Sequence, residues 1–304
     1  MSSTELSALL TCDLGAIVRG RSIFTSELSE HLVKGVGWVP ANQALTPLGG
    51  LAEPNPFGST GDLRLLPDES THATVGAGPG ETPLELLLCD IVETDGTPWE
   101  CCPRRFLAGS LAELAAETGA QLTSSFEHEF QLLSDEAPPL PFSLEAQRLA
   151  EPFASTLMGA LLEAGVEPER FFAEFAPHQF EVPVSPARGM AGADRAVIMR
   201  EVVREVARRQ GLRASFVPLL DPATAGNGLH IHMSLTDEAG RALLHDATRP
   251  GALRLTRPIP PGAGPGPGPV GPQAAPPAAA VPTGVGPPAA PSGPPSDGPF
   301  ALPR

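Results

Sequence analysis

Gly226-Asn227-Gly228-Leu229-His230-Ile231-His232-Met233-Ser234-Leu235 is the stretch on which the reading of this chain turns. Strand side chains repeat with period two, so His230, His232 and Ser234 share one face and Leu229, Ile231, Met233 and Leu235 the other. An oily face opposite imidazoles and a hydroxyl predicts a half-buried strand whose polar face lines a cavity. Two upstream segments present carboxylates in the same manner. In Ser125-Phe126-Glu127-His128-Glu129-Phe130, the glutamates fall on one face and the phenylalanines on the other. In Glu174-Phe175-Ala176-Pro177-His178-Gln179-Phe180-Glu181, Gln179 and Glu181 share a face and Glu174 sits just before the bend.

With His230, the carboxylates Glu127, Glu129, Glu174 and Glu181 are expected to converge from three segments. Two carboxylates about 4 Å apart repel by roughly 1 kcal/mol in water and roughly 4 kcal/mol at an effective dielectric of about 20. Such a cluster needs cations or shared protons. Glutamate oxygens with an imidazole and no thiolate suit Mg²⁺ or Mn²⁺ rather than structural zinc. Ions of this kind bridge nucleotide phosphates in phosphoryl transfer. Taken singly, Glu-x-Glu on a strand reads as a solvated outer face, and His-x-His as a zinc or cupin-type site or a plain polar face. Their joint occurrence, in this order and in these contexts, is much less expected by chance.

The 304 residues allow one large domain or two ordinary ones, and 41% hydrophobic residues suffice for a core. A net charge of −15 argues against nucleic-acid and anionic-membrane partners, which attract Lys/Arg-rich surfaces. Cys12, Cys89, Cys101 and Cys102 show neither CxxC nor zinc-like spacing, so reduced thiols and a cytoplasmic location are expected. Met1 to Val18 carries Glu5 and Asp13 and lacks a basic start, unlike a signal peptide or membrane span.

Residues 258–304 hold 17 of the 37 prolines and no periodicity, so this segment is expected to be disordered. The chain has a single lysine, Lys34, and no tyrosine, a usage that marks a GC-rich gene. The tail is then either text read out of frame after about residue 250 or a genuine Pro-rich linker. Translating the other two frames separates these.

Short apolar runs (Ala16 to Val18, Leu84 to Val92) broken by turn signals make residues 1–103 strand-rich. Next come an amphipathic helix over Arg105 to Thr118 capped by Gly119, a strand over Leu122 to Leu133, and a long helix over Leu144 to Gly165 interrupted by Pro152. A strand around Phe180 to Val184, a helix over Ala193 to Arg209 and strands around Ala214 to Val217 and Leu229 to Leu235 complete the order. This predicts an α+β fold with helices outside a mainly antiparallel sheet.

The order Glu127-x-Glu129, Glu174 to Gln179-x-Glu181, then Gly226-x-Gly228-x-His230-x-His232-x-Ser234 resembles the glutamine synthetase family, in particular its branch that ligates glutamate to amines. The N-terminal half is similar too: Asp13-Leu14-Gly15 with Arg19-Gly20-Arg21, Gly61-Asp62-Leu63-Arg64 with Pro67-Asp68, and Cys89-Asp90-Ile91 before Pro103-Arg104. The resemblance spans roughly residues 10–245. It implies a small β-grasp-like domain (1–105), an incomplete catalytic domain with a partial antiparallel sheet (106–250) and the low-complexity tail (251–304). Glu129, Glu174 and Glu181 match the ligands of one divalent ion, beside the glutamate and the transferred phosphoryl group. Glu127 and His230 match ligands of a second ion that holds the ATP phosphates. His232, Ser234 and, by a looser alignment, Glu169 match nucleotide-side positions, whereas Glu129, Gly226 and His230 match the glutamate subsite. The implied substrates are ATP, glutamate and ammonia or an amine, in a homo-oligomer.

Three departures stand out. The family's asparagine two residues before the glycine pair has no clear counterpart: Ala225 precedes Gly226, and Asn227 lies between the glycines. The ammonium-binding aspartate is not evident near Trp38 to Ala44, which favours an amine substrate or a divergent one. After Arg257 the only charged groups are Asp297 and Arg304, so the family's C-terminal arginines, flap glutamate and last metal ligand have no counterpart. The resemblance therefore implies a ligase with impaired activity. A non-catalytic homologue that binds Mg-nucleotide weakly or joins intact subunits is the second reading, and an unrelated zinc-binding β-barrel around His230 and His232 the third.

Overall fold

The structure, a computed structural model, describes residues 5–244 apart from Ser59 and Pro79. The readings of the Pro-rich tail concern residues outside this range. Two sheets and five helices make up the described chain. The first sheet is built from β1 (Leu6–Cys12), β2 (Val18–Phe24), β3 (Val36–Trp38), β4 (Leu63–Pro67), β5 (Ala73–Val75) and β6 (Leu84–Glu93), with helix α1 (Leu28–Lys34) between β2 and β3. Its order is β2-β1-β6-β4-β3, with β5 also on β6; β1 and β6 run parallel and the other pairs antiparallel. The near-continuous apolar run of β6 suits this central place, with Leu86, Leu87, Leu88, Cys89 and Ile91 all buried. Ala16 and Ile17, expected in a strand, lie in a turn instead, and Ala16 has a left-handed φ of 60°. The Asp13 carboxylate explains it: its Oδ1 accepts from the N–H groups of Gly15 at 2.9 Å and Ile17 at 2.8 Å, winding the chain tightly before β2 begins.

Helix α2 (Pro103–Thr118) opens on a proline and closes on left-handed Gly119. It leads into β7 (Gln121–Leu132), the middle of the second sheet. The single interrupted helix expected over Leu144 to Gly165 is two helices, α3 (Leu144–Leu149) and α4 (Phe153–Glu163). Pro152 has no N–H to give to the turn before it, so the chain re-enters helix only after it. Then follow β8 (Phe172–Ala173), β9 (Gln179–Pro183), β10 (Ala187–Arg188), α5 (Met190–Arg209), β11 (Ala214–Ser215) and β12 (Leu229–Thr236). Every pairing in this sheet is antiparallel. One edge of β7 carries β9 and β10, the other β12 and β11, and β8 continues outward from β9.

Helices α4 and α5 cover one face of β7 and β9. Met199, Val202, Val203 and Val206 of α5 recur at helical spacing and pack with Leu157 and Leu161 of α4 on Phe130, Phe180 and Val182. Strand β12 was expected to be half buried, but its oily face is open: Leu229 is 50% exposed, Ile231 47% and Met233 64%. These residues share a face with Phe126 and His128, yet no described helix reaches over them. Among the described residues, the second edge of β12 meets only a bridge between Thr236 and Ala242.

One guanidinium links the two sheets. Arg104, on α2, donates to Asp68 at 2.6 Å and to Asp90 at 2.7 Å in the first sheet's segments, and through Nε and Nη2 to Asp194 of α5 at 2.9 Å each. No helix among the described residues is long and apolar enough to cross a membrane.

Candidate functional site

The uncovered face of the second sheet holds the polar residues of three strands. Strand register brings Glu129 opposite Glu181 and Glu127 opposite His230. One ligand atom each from Glu129, Glu181 and His230 lies within 4.8 Å of the others. At about 2.1 Å per bond, ligands on opposite sides of an octahedral ion are about 4.2 Å apart, so the triad would draw in slightly around a small divalent ion. Hard carboxylate oxygens with one imidazole, and no sulfur, fit such an ion chemically.

Electrostatics points the same way. Burial first, then the charges of Glu127, Glu174 and Glu129, push the Glu181 carboxyl up to about 7. Burial, and then the charge of Glu129, also raise Glu174. Among the described residues, none of the four carboxylates forms an ion pair with Lys or Arg. Only imidazoles approach: His232 Nε2 lies 3.2 Å and His230 Nδ1 3.6 Å from the same Oε2 of Glu127.

Two glycines make the arrangement possible. The Gly228 N–H donates to Glu129 Oε2 at 2.9 Å, and a Cβ on Gly228 would stand 2.7 Å from Glu129 Oε1. A Cβ on Gly226 would stand 2.1 Å from the Pro218 carbonyl oxygen, a backbone atom that cannot swing aside. Gly226→Ala is therefore expected to cost about 1–3 kcal/mol of stability, as overpacking does. Gly228→Ala, meeting only the flexible end of Glu129, should leave stability closer to wild type while displacing that carboxylate. Urea titration of both variants checks this, and equal losses would contradict it.

Residues 1–99 match the glutamine synthetase N-terminal domain, and residues 100–256 the glutamine synthetase catalytic domain. The chain belongs to the glutamine synthetase family. Gamma-glutamylpolyamine synthetase of Streptomyces coelicolor is 31% identical over 232 residues, covering 73% of this chain and 49% of that protein. Glutamate–isopropylamine ligase of a Pseudomonas species is 29% identical over 210 residues, covering 63% and 44% respectively. A crystal structure titled a novel glutamine synthase homolog superposes with a TM-score of 0.79 at 46% identity, covering 84% of this chain and 60% of that one. This chain spans about half the length of the curated relatives it matches. Membership of the glutamine synthetase family replaces the reading of an unrelated zinc barrel.

Within the glutamine synthetase frame, the residues singled out in the sequence are not all in one place. Glu127, Glu129, Glu174, Glu181 and His230 meet, and His232 joins them through Glu127. Ser234 pairs with Thr123, four residues along β12 from His230, or about 13 Å by strand rise. Glu169 pairs with Arg170 at 3.2 Å, and its N–H bonds the Pro183 carbonyl on the strand opposite Glu127. His128 points to the helix side beside Phe126 and Phe216, where burial lowers it to about 4 and keeps it neutral. Two amides were not among the candidates, Gln179 as a contact of Glu129 and Asn227 as a contact of Gln179; the signals for them were the face Gln179 shares with Glu181 and the place of Asn227 between the two glycines.

Proposed function

We propose that this chain carries the ion-binding wall of an ATP-dependent ligase that joins the γ-carboxylate of glutamate to ammonia or an amine. The observation that carries the proposal is the convergence of Glu129, Glu181 and His230 without, among the described residues, a compensating arginine or lysine. The names of the relatives, a polyamine ligase and an isopropylamine ligase, favour an amine over ammonia.

In this reading Glu129, Glu174 and Glu181 hold one Mg²⁺ or Mn²⁺, and Glu127 and His230 contribute to a second. Bound ions supply Lewis acidity and screen the phosphates against the substrate carboxylate. Glutamate lies along Gly226 beside Glu129, and ATP lies toward His232, with Ser234 and Glu169 further out. The γ-carboxylate oxygen attacks the terminal phosphorus of ATP, giving an acyl phosphate and ADP. The amine nitrogen then adds to the activated carbonyl carbon, phosphate leaves, and the nitrogen loses a proton. The imidazole of His232, 3.2 Å from Glu127 and assigned to neither ion, is the group on this wall able to take such a proton.

Turnover by the 304-residue chain alone is expected to be slight, because no described arginine or lysine pairs with the cluster. Cationic clamps on a transferring phosphoryl group are worth about 10³-fold or more. Phosphate release dependent on ATP, glutamate and a mono- or polyamine tests this, and ordinary turnover would refute it. Calorimetry with Mg-nucleotide belongs beside the assay. Binding without turnover favours the second reading, a non-catalytic relative that associates with other subunits, for which the open apolar face of β12 speaks.

A further inference from the structure

We propose that Asn227 and Gln179 are positioning residues that set Glu129 for its ion. This rests on the ion-binding reading of the carboxylate cluster and names what prepares it.

Gln179 is 2% exposed, and its amide is fully committed. Its Oε1 accepts from the Ala176 N–H at 2.8 Å. Its Nε2 faces three acceptors: Glu129 Oε2 at 2.7 Å, the Gly226 carbonyl at 2.9 Å and Asn227 Oδ1 at 3.0 Å. With the Gly228 N–H also on Oε2, one oxygen of Glu129 is tied by two donors, and its Oε1 accepts from no described donor. A carboxylate held by one oxygen presents the other in a single direction, which prepares a one-oxygen ligand before the ion arrives.

Asn227 fixes the clamp in turn. Its Nδ2 donates to the Val217 carbonyl at 2.8 Å and the Ser215 carbonyl at 3.3 Å, and its backbone N–H to the Pro218 carbonyl at 2.8 Å. Three carbonyls of one loop thus close on a single residue. The amide orientation follows, since only Oδ1 is left to meet Gln179. An alanine at 227 would free the loop and remove one of the acceptors that aim Nε2. A methionine at 179 would keep the volume but leave Glu129 Oε2 tied by the Gly228 N–H alone.

The test is Mn²⁺ affinity, read by paramagnetic resonance of free Mn²⁺ on the full chain. Asn227→Ala, Asn227→Ser and Gln179→Met are compared with Glu129→Gln and with Asn227→Ala in the Glu129→Gln background. Thermal midpoints in EDTA are recorded for each, and at least one of the three positioning variants must fold. We expect each positioning variant to bind Mn²⁺ about 10–100-fold more weakly, the range for partners that orient metal ligands. We also expect no further loss once Glu129 is gone, the non-additivity of groups acting through one another. Should Glu129→Gln abolish binding while folded 179 and 227 variants keep wild-type affinity, whatever their EDTA midpoints, the positioning roles are wrong and the ion site stands. Should Glu129→Gln itself bind like wild type, the ion site and the positioning roles fall together.

Discussion

Replacing Glu181 by glutamine is expected to weaken Mn²⁺ binding more than about 100-fold, since even partners that merely orient ligands are worth about 10–100-fold. Glu181 sits opposite Glu129 in the ladder and within one ion's reach of it and of His230. Because burial and then the neighbouring glutamates push it up to about 7, a proton must leave before an ion can enter. Affinity should therefore climb as pH rises through about 7 and level off above it. The same shift bears on stability without the ion. A carboxyl at its ordinary 4.5 when unfolded and about 7 when folded contributes stability that is complete below 4.5 and lost as pH rises through 7. His128 acts in the opposite sense: ordinarily 6.5 and about 4 when folded, it contributes stability present above 6.5 and lost as pH falls through 4. The two slopes oppose each other over a shared window, so the metal-free melting profile is a poor reporter. The rise in melting temperature produced by Mn²⁺ isolates the cluster. It should be small at pH 5.5 and large at pH 8 in the native chain, and nearly absent at both in the Glu181→Gln variant. A full Mn²⁺ response in that variant at pH 8 would remove Glu181 from the site.

Arg104→Met is expected to bring the largest loss of stability, about 3 kcal/mol. Removing one partner of a buried ion pair costs about 3–5 kcal/mol because the other charge stays behind, and here three carboxylates stay behind. The lower end applies because the Asp68 side chain remains 34% exposed. Burial disfavours the Asp68 anion, but hydrogen bonds from Ser70 and Arg104 outweigh it and hold the carboxyl below its ordinary value. Arg104→Lys retains a charge but not the planar fork that meets Asp194 with two nitrogens, so an intermediate loss is expected. Urea unfolding of the three chains decides, and an unchanged midpoint for the methionine variant would contradict the account. Since Asp68 and Asp90 belong to the first sheet's segments and Asp194 to α5, the methionine variant should also loosen the attachment of one sheet to the other.

How much of this was legible in the sequence depends on the range of the physics involved. Period-two alternation is local, so the faces of β7 and β12 could be read residue by residue, and the carboxylates duly share a side. Strand burial is not local. The oily residues of β12 showed which way they point but not that no described helix covers them. Pro152 marked a break, yet its width, from Ala150 to Pro152, depended on where helix hydrogen bonds resume. The partners of Arg104 lie at positions 68, 90 and 194, separations at which no spacing rule operates. Asn227 stood in plain view between two glycines and was read as a departure from the family pattern. Its partners are carbonyl oxygens, which every residue has, and so they left no mark in the sequence.

Strand β7 lends both its edges to the site, with β9 along one and β12 along the other. Chain-length changes should accordingly be tolerated very unevenly. A residue gained or lost inside 125–129 would turn everything on one side of the change to the opposite face of the sheet, parting Glu127 from Glu129 or from its register with His230. One codon would then do the damage of several substitutions. The exposed turn between Leu219 and Ala225 joins no ladder, and there the same insertion would shift nothing that faces the ion.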